Sequence, residues 1–282
     1  MVKSKMKAGQ AAVSAVDGGM FQSIARLDLL LSTLSTNQEE GLKLMDVCRL
    51  TGLGKATTHR LLSGLVAYRL ADYDPGTARY FVGFKVLAWA SGAGNRYGLA
   101  RMAAPSIRRL ATLFEDAVYL SIRLGDEAVC VERLEGAFPI KTLAFKIGDH
   151  RPLGIGAGSA AMLAALSEEE IERVLKEGAA ARHAFKLSDK DLRVILGEAS
   201  RQGYSFVEGL IVPGISTVGV PILLDDQSPI AAISVSAISD RMKPARRLEI
   251  ADAIAAEVAT IVREFGPLLT SSDAMRLAAA AR

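Results

Sequence analysis

The spacing of hydrophobic residues changes along the chain, and each change predicts an element. Apolar residues recur at helical spacing in "FQSIARLDLLLSTLS" and again in "LKLMDVCRLTG", where Gly52 signals the helix end. Residues 53–54 predict a tight turn, and "KATTHRLLSGLVA" predicts a third helix. Two short β-like runs follow around the turn signal "DPG" at 74–76. Helix, helix, turn, helix and hairpin is the order of a winged helix-turn-helix.

Beyond the hairpin the pattern is helical again from Lys85 to about Glu115, although several glycines weaken it. This stretch predicts a linker helix that leads into a second domain. A clear strand signal follows in "DAVYLSIRLGDEAVCVERLEG", where apolar residues alternate on both sides of a Gly-Asp turn. The segment "PIKTLAFKIG", at 139–148, predicts a further strand. The glycines of "GIGAGSAAMLAAL" then give way to a predicted helix of small residues.

The rest of the chain alternates helices and strands. Ser167 and Glu170 form a capping box, which predicts a helix start. Another helix is predicted over 189–202 and ends at Gly203. The runs "STVGVPILL" and "IAAISVSAI" predict a hairpin, and a last helix covers roughly 242–265. Helices and strands therefore interleave in an α+β domain, and no internal repeat is visible.

Composition narrows the class of protein. Half of the 282 residues are hydrophobic, so the chain can bury a sizeable core and two domains are expected. Mean hydropathy is +0.24, but alanine raises it, and no run of about 18 uncharged apolar residues predicts a membrane span. The N-terminus carries lysines without an apolar core, which predicts a mobile basic tail rather than a signal peptide. Two distant cysteines, Cys48 and Cys130, favour the reducing cytoplasm.

Charge is distributed unevenly between the first 98 residues and the rest of the chain. Residues 1–98 carry 12 Lys+Arg and 7 Asp+Glu, a net charge of +5. Residues 99–282 carry 22 and 24, a net charge of −2. A basic front and a faintly acidic back indicate that only the first part meets a polyanion.

The start of the third predicted helix gathers polar side chains. At about 100° per residue its leucines point to one side with Thr58 among them, and Arg60 points almost directly away. The N-terminal half of a recognition helix enters the major groove, where an arginine can fork onto guanine O6 and N7. Arg79, in the second β run, is a candidate phosphate contact. The candidate DNA-binding residues on and beside the helix are Lys55, Thr57, His59, Arg60 and Ser63.

Two interpretations of this polar cluster compete. Polar residues favour the first turn of any exposed helix, so the cluster alone favours the ordinary interpretation. The preceding helix, the tight turn and the following hairpin reverse that preference in favour of DNA binding. For Arg79 the alternative is a lone solvated arginine. Metal binding at His59 is not expected, because no other histidine or cysteine stands at ligand spacing.

The glycine-rich stretch in the second domain has two readings, neither of which is a dinucleotide site. Its glycines do not form G-x-G-x-x-G, and no βαβ unit accompanies them, so no cofactor is expected. Gly156, Ala157, Gly158 and Ser159 stand at the start of a helix whose N–H groups would accept a carboxylate. Alternatively, these small residues let the helix pack tightly on a sheet. Both readings are open.

Three more residues are candidates for contact with a small-molecule effector. Cys130 lies on a strand whose inward residues line either a pocket or plain core, and core is the usual place for a cysteine. Ser234 and Ser236 alternate with apolar residues, so they face either a ligand or solvent. His150 and Arg151 either help to hold an anion or lie at the surface.

An enzyme is not expected. A nucleophile beside a base would mark one, but Ser159 has no assignable histidine partner and no G-x-S-x-G elbow occurs.

The motifs together resemble the IclR family of bacterial transcriptional regulators, from Ser23 to about Phe265. The front carries the resemblance in "SIARLDLLLSTLS", "LKLMDVCRLTGLGKATTHRLLSGLV" and "ARYFVG", and the back in "RPLGIGAGSAAMLAAL", "VPGISTVGVPI" and "IAAISVS". It implies a winged helix, a GAF-like effector-binding domain, and assembly as dimers or dimers of dimers. Many relatives have serine where this chain has Ala56, so one hydrogen bond to a phosphate or cap is missing here, which affects affinity.

We therefore predict a cytoplasmic, ligand-responsive transcription factor that binds a double-stranded operator as a homo-oligomer and has no membrane partner. Its small-molecule effector is expected to be an organic acid. The predicted boundaries are a tail at 1–19, the winged helix at 20–83, the linker helix at 84–98, the effector domain at 99–268 and a tail at 269–282. Two alternatives are an enzyme for a small acid or ester with a vestigial winged helix, and an adaptor whose winged helix contacts protein.

Overall fold

The computed structural model describes residues 22–89, 98–142, 145–224 and 227–265. The chain divides into two compact units, Met1–Arg96 and Tyr97–Arg282. The finer predicted division, with a separate linker helix and two tails, stays a prediction, because much of the linker and both tails lie outside the described residues.

The first unit has the predicted order of helices and strands. Its elements are α1 (Gln22–Ser35), β1 (Leu42–Lys43), α2 (Leu44–Thr51), α3 (Lys55–Ala67), β2 (Ala71–Asp74) and β3 (Arg79–Val82). A further helical segment covers 84–89. Gly52 ends α2 in the left-handed region with φ of 71°, and its N–H donates to the Cys48 carbonyl. β1 pairs with β3 in the order β1-β3-β2; it is too short for a hydrophobic period, so the sequence did not indicate it.

A leucine-rich core holds the three helices of the first unit against its small sheet. Leu30 and Leu34 of α1, Val47 of α2, and Leu62 and Leu65 of α3 are all buried there. These residues are the apolar positions of the predicted helical repeats, so the hydrophobic period fixes which face of each helix turns inward.

The second unit is built from a sheet with helices on both faces. Its helices are α4 (Leu99–Phe114), α5 (Ala157–Ala164), α6 (Glu168–Glu177), α7 (Ala179–His183), α8 (Asp189–Gln202) and α9 (Pro244–Phe265). Its strands are β4 (Ala117–Leu124), β5 (Glu127–Leu134), β6 (His150–Pro152), β7 (Ser205–Glu208), β8 (Ile215–Leu223) and β9 (Pro229–Ile238). Within the described residues the strands form one antiparallel sheet in the order β6-β5-β4-β9-β8-β7.

The central strand β9 shows how the two faces of this sheet differ. Ile233 and Val235 join the core under α4 and α9. Ala232 joins a second core with α5 and α8 on the opposite face. Because side chains alternate along a strand, Ser234 and Ser236 face the α5 side. The sequence predicted that these two serines face either a ligand or solvent. Both are buried inside the unit.

The strand predicted over 139–148 is wrong. None of the described residues of that segment is in a strand, and the third strand at this edge is β6. The segment instead contacts the sheet through side chains: the Tyr119 hydroxyl donates to the Thr142 carbonyl, and Thr142 Oγ1 donates to the Ser236 carbonyl. The sequence also did not indicate the short elements α7 and β7.

A buried arginine closes the end of α6. Arg182 is 1% exposed; its Nη1 donates to the Val174 carbonyl at 2.9 Å, and its Nη2 donates to the Leu175 carbonyl and to Asp189 Oδ1. Helix C-termini leave carbonyls without intrahelical partners, and this side chain satisfies two of them.

Arg182→Ala is expected to lower the free energy of unfolding by about 2–5 kcal/mol, because it leaves two carbonyls unsatisfied and opens a cavity. Urea unfolding followed by circular dichroism measures the loss. The control is Arg193→Ala: Arg193 is 46% exposed and pairs with Glu172 at 2.6 Å. An exposed pair contributes about 1 kcal/mol or less. Equal losses in the two variants would contradict the capping role.

Candidate DNA-binding surface and effector cavity

The orientation of α3 is set by the side chains on its inner face. Leu62 and Leu65 are buried in the core, and so is Thr58, whose hydroxyl donates to the Gly54 carbonyl at 3.1 Å. The opposite face is therefore turned outward. The exposed residues of the helix include Lys55, Ala56, His59, Arg60 and Ser63, and Thr57 is half-buried.

The start of α3 has no side-chain cap. Gly54 occupies the N-cap position in an extended conformation, with φ of −63° and ψ of 146°, and offers no side-chain hydrogen bond. N–H groups at a helix start suit phosphate oxygens. The predicted contact residues are thus placed around an end of the helix that is suited to an anion, and their contact with DNA stays a prediction.

Arg79 has a structural role that the sequence did not indicate. Its Nη1 donates to the Gly41 carbonyl at 2.7 Å and to the Glu40 carbonyl at 3.2 Å. These bonds join β3 to the chain just before β1. The guanidinium is therefore held against the protein backbone, and its predicted phosphate contact stays a prediction.

The second unit contains a cavity between the α5 face of the sheet and the start of α5. The empty space within it is about 600 Å³, and part of this space is open to solvent. Its described lining residues are Tyr119, Ser121, Phe145, Arg151, Ile155, Gly156, Ala157, Gly158, Ser159, Val207, Leu210, Ile211, Val212, Ile215, Thr217, Ser234 and Ser236. The structure thus brings all the predicted effector residues except Cys130 to one cavity.

Cys130 lies in the core beside the cavity and is not among its lining residues. It is 1% exposed and packs with Ala117 and Tyr119, with Phe145 against the same cluster. Burial raises the pKa of its thiol to about 12, so the thiol is neutral at physiological pH. Of the two alternatives predicted for Cys130, the structure supports a place in the core. Its predicted place in the lining of the effector pocket is wrong.

The two residues considered as anion ligands separate in the structure. His150 is exposed, with Nδ1 2.8 Å from Glu127 Oε2. Arg151 is buried in the cavity wall, with its guanidinium carbon 4.0 Å from the centroid of the Phe145 ring. Burial lowers the pKa of Arg151 to about 10, so the guanidinium remains charged at physiological pH.

The small residues at the start of α5 pack tightly on the sheet. A Cβ at Gly219 of β8 would lie 2.5 Å from the Gly158 nitrogen and 2.8 Å from the Ala157 carbonyl oxygen. A Cβ at Gly158 would in turn lie 3.5 Å from Ser234 Oγ. Ala157 and Gly158 therefore pack tightly on the sheet and also line the cavity, so both readings of this stretch hold for them.

The hydroxyl of Ser159 forms two hydrogen bonds with backbone groups. It accepts from the Gly154 N–H at 2.9 Å and donates to the Pro152 carbonyl at 3.2 Å. These bonds fix the turn that leads into α5, so Ser159 shapes the cavity wall.

The parts of the chain that the structure describes contain no group of three or more His, Cys, Asp or Glu side chains that could hold a metal ion. No helix among them is long and apolar enough to cross a bilayer.

A winged helix with an outward-facing polar helix start, together with a separate α+β domain that encloses a cavity, defines a DNA-binding regulator with a small-molecule sensor domain. Comparison with known families agrees with this class. Residues 23–75 match the IclR helix-turn-helix domain, and residues 92–263 match the bacterial transcriptional regulator IclR C-terminal domain. The chain belongs to the IclR family of bacterial transcriptional regulators.

Curated relatives that match this chain over most of their length are named as transcriptional regulators. The chain is 27% identical to the HTH-type transcriptional regulator KipR of Bacillus subtilis, across 87% of this chain and 96% of the relative. It is 28% identical to the HTH-type transcriptional repressor AllR of Escherichia coli K12, across 86% and 88% respectively. The family and these names support a transcriptional regulator and give no support to the enzyme alternative.

Solved structures confirm the fold. An IclR transcriptional regulator from Alicyclobacillus acidocaldarius superposes with a TM-score of 0.74 at 22% identity, covering 88% of this chain and 98% of that one. An IclR homologue from Microbacterium hydrocarbonoxydans, solved in complex with 4-hydroxybenzoate, gives a TM-score of 0.68 at 20% identity, covering 86% and 99%. The predicted winged helix followed by an α+β effector domain is thus confirmed.

Proposed function

We propose that this regulator reads its operator with the outer face of α3 and responds to a small organic acid in the cavity of its second unit. It does so in the cytoplasm, as the composition predicts. The observation that carries the DNA-binding part is the burial of Thr58, Leu62 and Leu65, which turns Arg60 outward.

Each residue on that face has a distinct role in the proposal. Arg60 forks onto a guanine in the major groove and provides sequence preference. Lys55, Thr57, His59 and Ser63 contact phosphates or base edges beside it. The uncapped N–H groups at the start of α3 add a phosphate contact without sequence preference.

Homodimer formation is part of the proposal, because a two-fold protein matches a palindromic operator. Exposed apolar side chains in the segment 84–89 support it. Phe84 is 74% exposed and Trp89 is 56% exposed. Large aromatic side chains at the surface are typical of an interface between copies. A dimer of such dimers is the larger assembly that the family resemblance implies.

Phe84→Asp is expected to convert the oligomer to monomer at micromolar concentration, because a carboxylate cannot be buried in an apolar interface without a partner. Size-exclusion chromatography with light scattering gives the mass, and operator affinity should fall in the same variant. The matched control is Val194→Asp, which changes an apolar side chain that is 55% exposed on α8. An unchanged mass for Phe84→Asp would contradict the proposed interface.

The effector part of the proposal rests on the cavity. A concave space lined by apolar side chains and a few polar groups is typical of a small-molecule site. The complex of the Microbacterium homologue with 4-hydroxybenzoate supports an organic acid as the class of ligand. Bound effector would shift the protein between DNA-competent and incompetent states by its difference in affinity for the two, with residues 84–98 carrying the coupling.

The experiment that tests this function is selection of duplexes from a random pool by the full-length chain, followed by binding assays. Enrichment of a two-fold symmetric motif that the protein binds more tightly than a scrambled duplex is the expected result. Recovery of no motif would contradict operator binding and would favour the adaptor alternative, in which the winged helix contacts a protein.

A further inference from the structure

Two buried threonines flank the turn that joins α2 to α3. Thr51, the last residue of α2, is 4% exposed, and Thr58, on the inner face of α3, is 0% exposed. The Thr51 hydroxyl donates to the Val47 carbonyl at 2.7 Å and accepts from the Leu53 N–H at 3.3 Å. The Thr58 hydroxyl donates to the Gly54 carbonyl at 3.1 Å and lies 3.4 Å from the Leu53 carbonyl. The peptide groups on both sides of Leu53 are therefore held, one from α2 and the other from α3.

The backbone of this turn has few restraints of its own. Leu53 stands between Gly52, whose φ is 71°, and Gly54, whose φ and ψ are −63° and 146°. Glycine has a wide choice of φ and ψ, so a turn with two glycines does not by itself fix the angle between the helices that it joins. The Leu53 side chain packs against the core of the first unit and holds the turn in place. The threonine hydroxyls add direction, because a hydrogen bond weakens steeply when its angle changes.

Burial alone does not call for a hydroxyl at Thr58. Valine has nearly the shape of threonine, and the methyl group in place of the hydroxyl would add hydrophobic burial. The Gly54 carbonyl also accepts from the Thr58 backbone N–H at 2.9 Å, so it has a partner without the side chain. The side-chain bond therefore restrains the turn rather than satisfying an otherwise unpaired carbonyl.

We propose that Thr51 and Thr58 are positioning residues for operator recognition, which fix the angle between α2 and α3 and thereby the orientation of Arg60 toward DNA. A bidentate contact between a guanidinium and guanine needs two N–H groups aligned with two acceptors, whereas a phosphate contact tolerates a change in angle. Loss of either hydroxyl should reduce sequence preference more than overall DNA affinity. This inference rests on the proposed function, in which α3 reads the operator.

Thr51→Val and Thr58→Val test the hydroxyls in anisotropy titrations of the full-length chain with the selected and the scrambled duplex. The ratio of the two affinities should fall about 3- to 10-fold in each variant, the factor that corresponds to one hydrogen bond. A purely structural role would leave this ratio unchanged, because partial unfolding removes the same fraction of active protein from both titrations. An unchanged ratio in either variant would overturn the role of that threonine.

Thr58→Ser separates the hydroxyl from the rest of the side chain. Serine keeps the hydroxyl and loses the methyl group, so it should retain the wild-type preference although the small cavity lowers the unfolding midpoint. Thr58→Val should show the reverse, with a midpoint near that of the wild type and a reduced ratio. If serine lowers the ratio as much as valine does, the hydroxyl is not the determinant and the role of Thr58 is refuted.

Thr33→Val is the matched control in the same unit. Thr33 lies on α1, is half-buried, and its hydroxyl donates at 2.7 Å to the Leu29 carbonyl, four residues earlier in the chain. Thr51 and Thr58 make the same local bond to Val47 and Gly54. Because α1 does not form the turn, Thr33→Val should leave the ratio unchanged. A fall as large as in the other two valine variants would contradict the proposal.

Failure of this inference differs from failure of the proposed function. A wild-type protein that binds the two duplexes equally would contradict operator reading by α3, and the role of the threonines with it. A wild-type preference that Arg60→Ala removes, and that both Thr51→Val and Thr58→Val keep, would leave the proposed function standing and refute the role of the threonines.

Discussion

Arg60→Ala is expected to remove most of the sequence preference of the protein while the fold stays intact. Arg60 is exposed on α3 and is not part of the first unit's core, so its loss removes no buried contact. A bidentate arginine–guanine contact contributes about 1–3 kcal/mol of discrimination. The ratio of affinities for selected and scrambled duplexes should therefore fall about 5- to 150-fold. Fluorescence anisotropy with both duplexes measures this ratio.

Lys55→Ala is the matched comparison on the same helix. As a phosphate contact it should weaken binding to both duplexes by a similar factor and reduce the salt dependence by one contact. The two variants thus separate base recognition from phosphate contact. An unchanged preference in Arg60→Ala would refute the assignment of Arg60, even if Lys55→Ala behaves as expected.

Gly219→Ala is expected to damage both the stability of the second unit and its ligand site. The added Cβ would lie 2.5–2.8 Å from backbone atoms of Ala157 and Gly158, and backbone cannot rotate away as a side chain can. Helix α5 has to move off the sheet, which costs about 1–3 kcal/mol, the usual range for overpacking. The same movement displaces the cavity wall, so ligand affinity should fall too.

Gly197→Ala provides the control for this prediction. Gly197 lies inside α8, and a Cβ there would have no heavy atom within 4 Å. Replacement of a helix-interior glycine by alanine is expected to add about 0.5–1 kcal/mol of stability. Thermal unfolding of both variants measures the change in stability, and ligand titration measures the change in affinity. A Gly219→Ala protein as stable as the wild type, with the same ligand affinity, would show that close contact between α5 and β8 is not needed.

Features that depend on nearby residues could be predicted from the sequence. Helix α8 covers 189–202 and ends at Gly203 in the left-handed region, as its apolar period and glycine stop predicted. Ser167 caps α6 by accepting from the Glu170 N–H. The burial of Thr58 among leucines also follows from helical geometry alone. In each case residues a few positions apart determine the result.

Long-range pairing explains what the sequence did not reveal. Ser121 pairs with Cys130 while Leu120 pairs with Glu132, so β5 carries an extra residue at this point. Such a bulge shifts the alternation of faces, and simple alternation then cannot tell whether Cys130 meets the cavity or the core. Arg151 belongs to a three-residue edge strand, and its pairing with Ala128 places it. Three residues carry too little pattern to show which way a side chain turns.

The most direct test of operator binding through α3 is an anisotropy titration of the selected duplex and its scrambled version over a series of salt concentrations. Tighter binding of the selected duplex is predicted, with the logarithm of the association constant falling linearly as the logarithm of salt concentration rises, because phosphate contacts release counterions. Equal affinity for the two duplexes, or affinity that does not change with salt, would contradict the account.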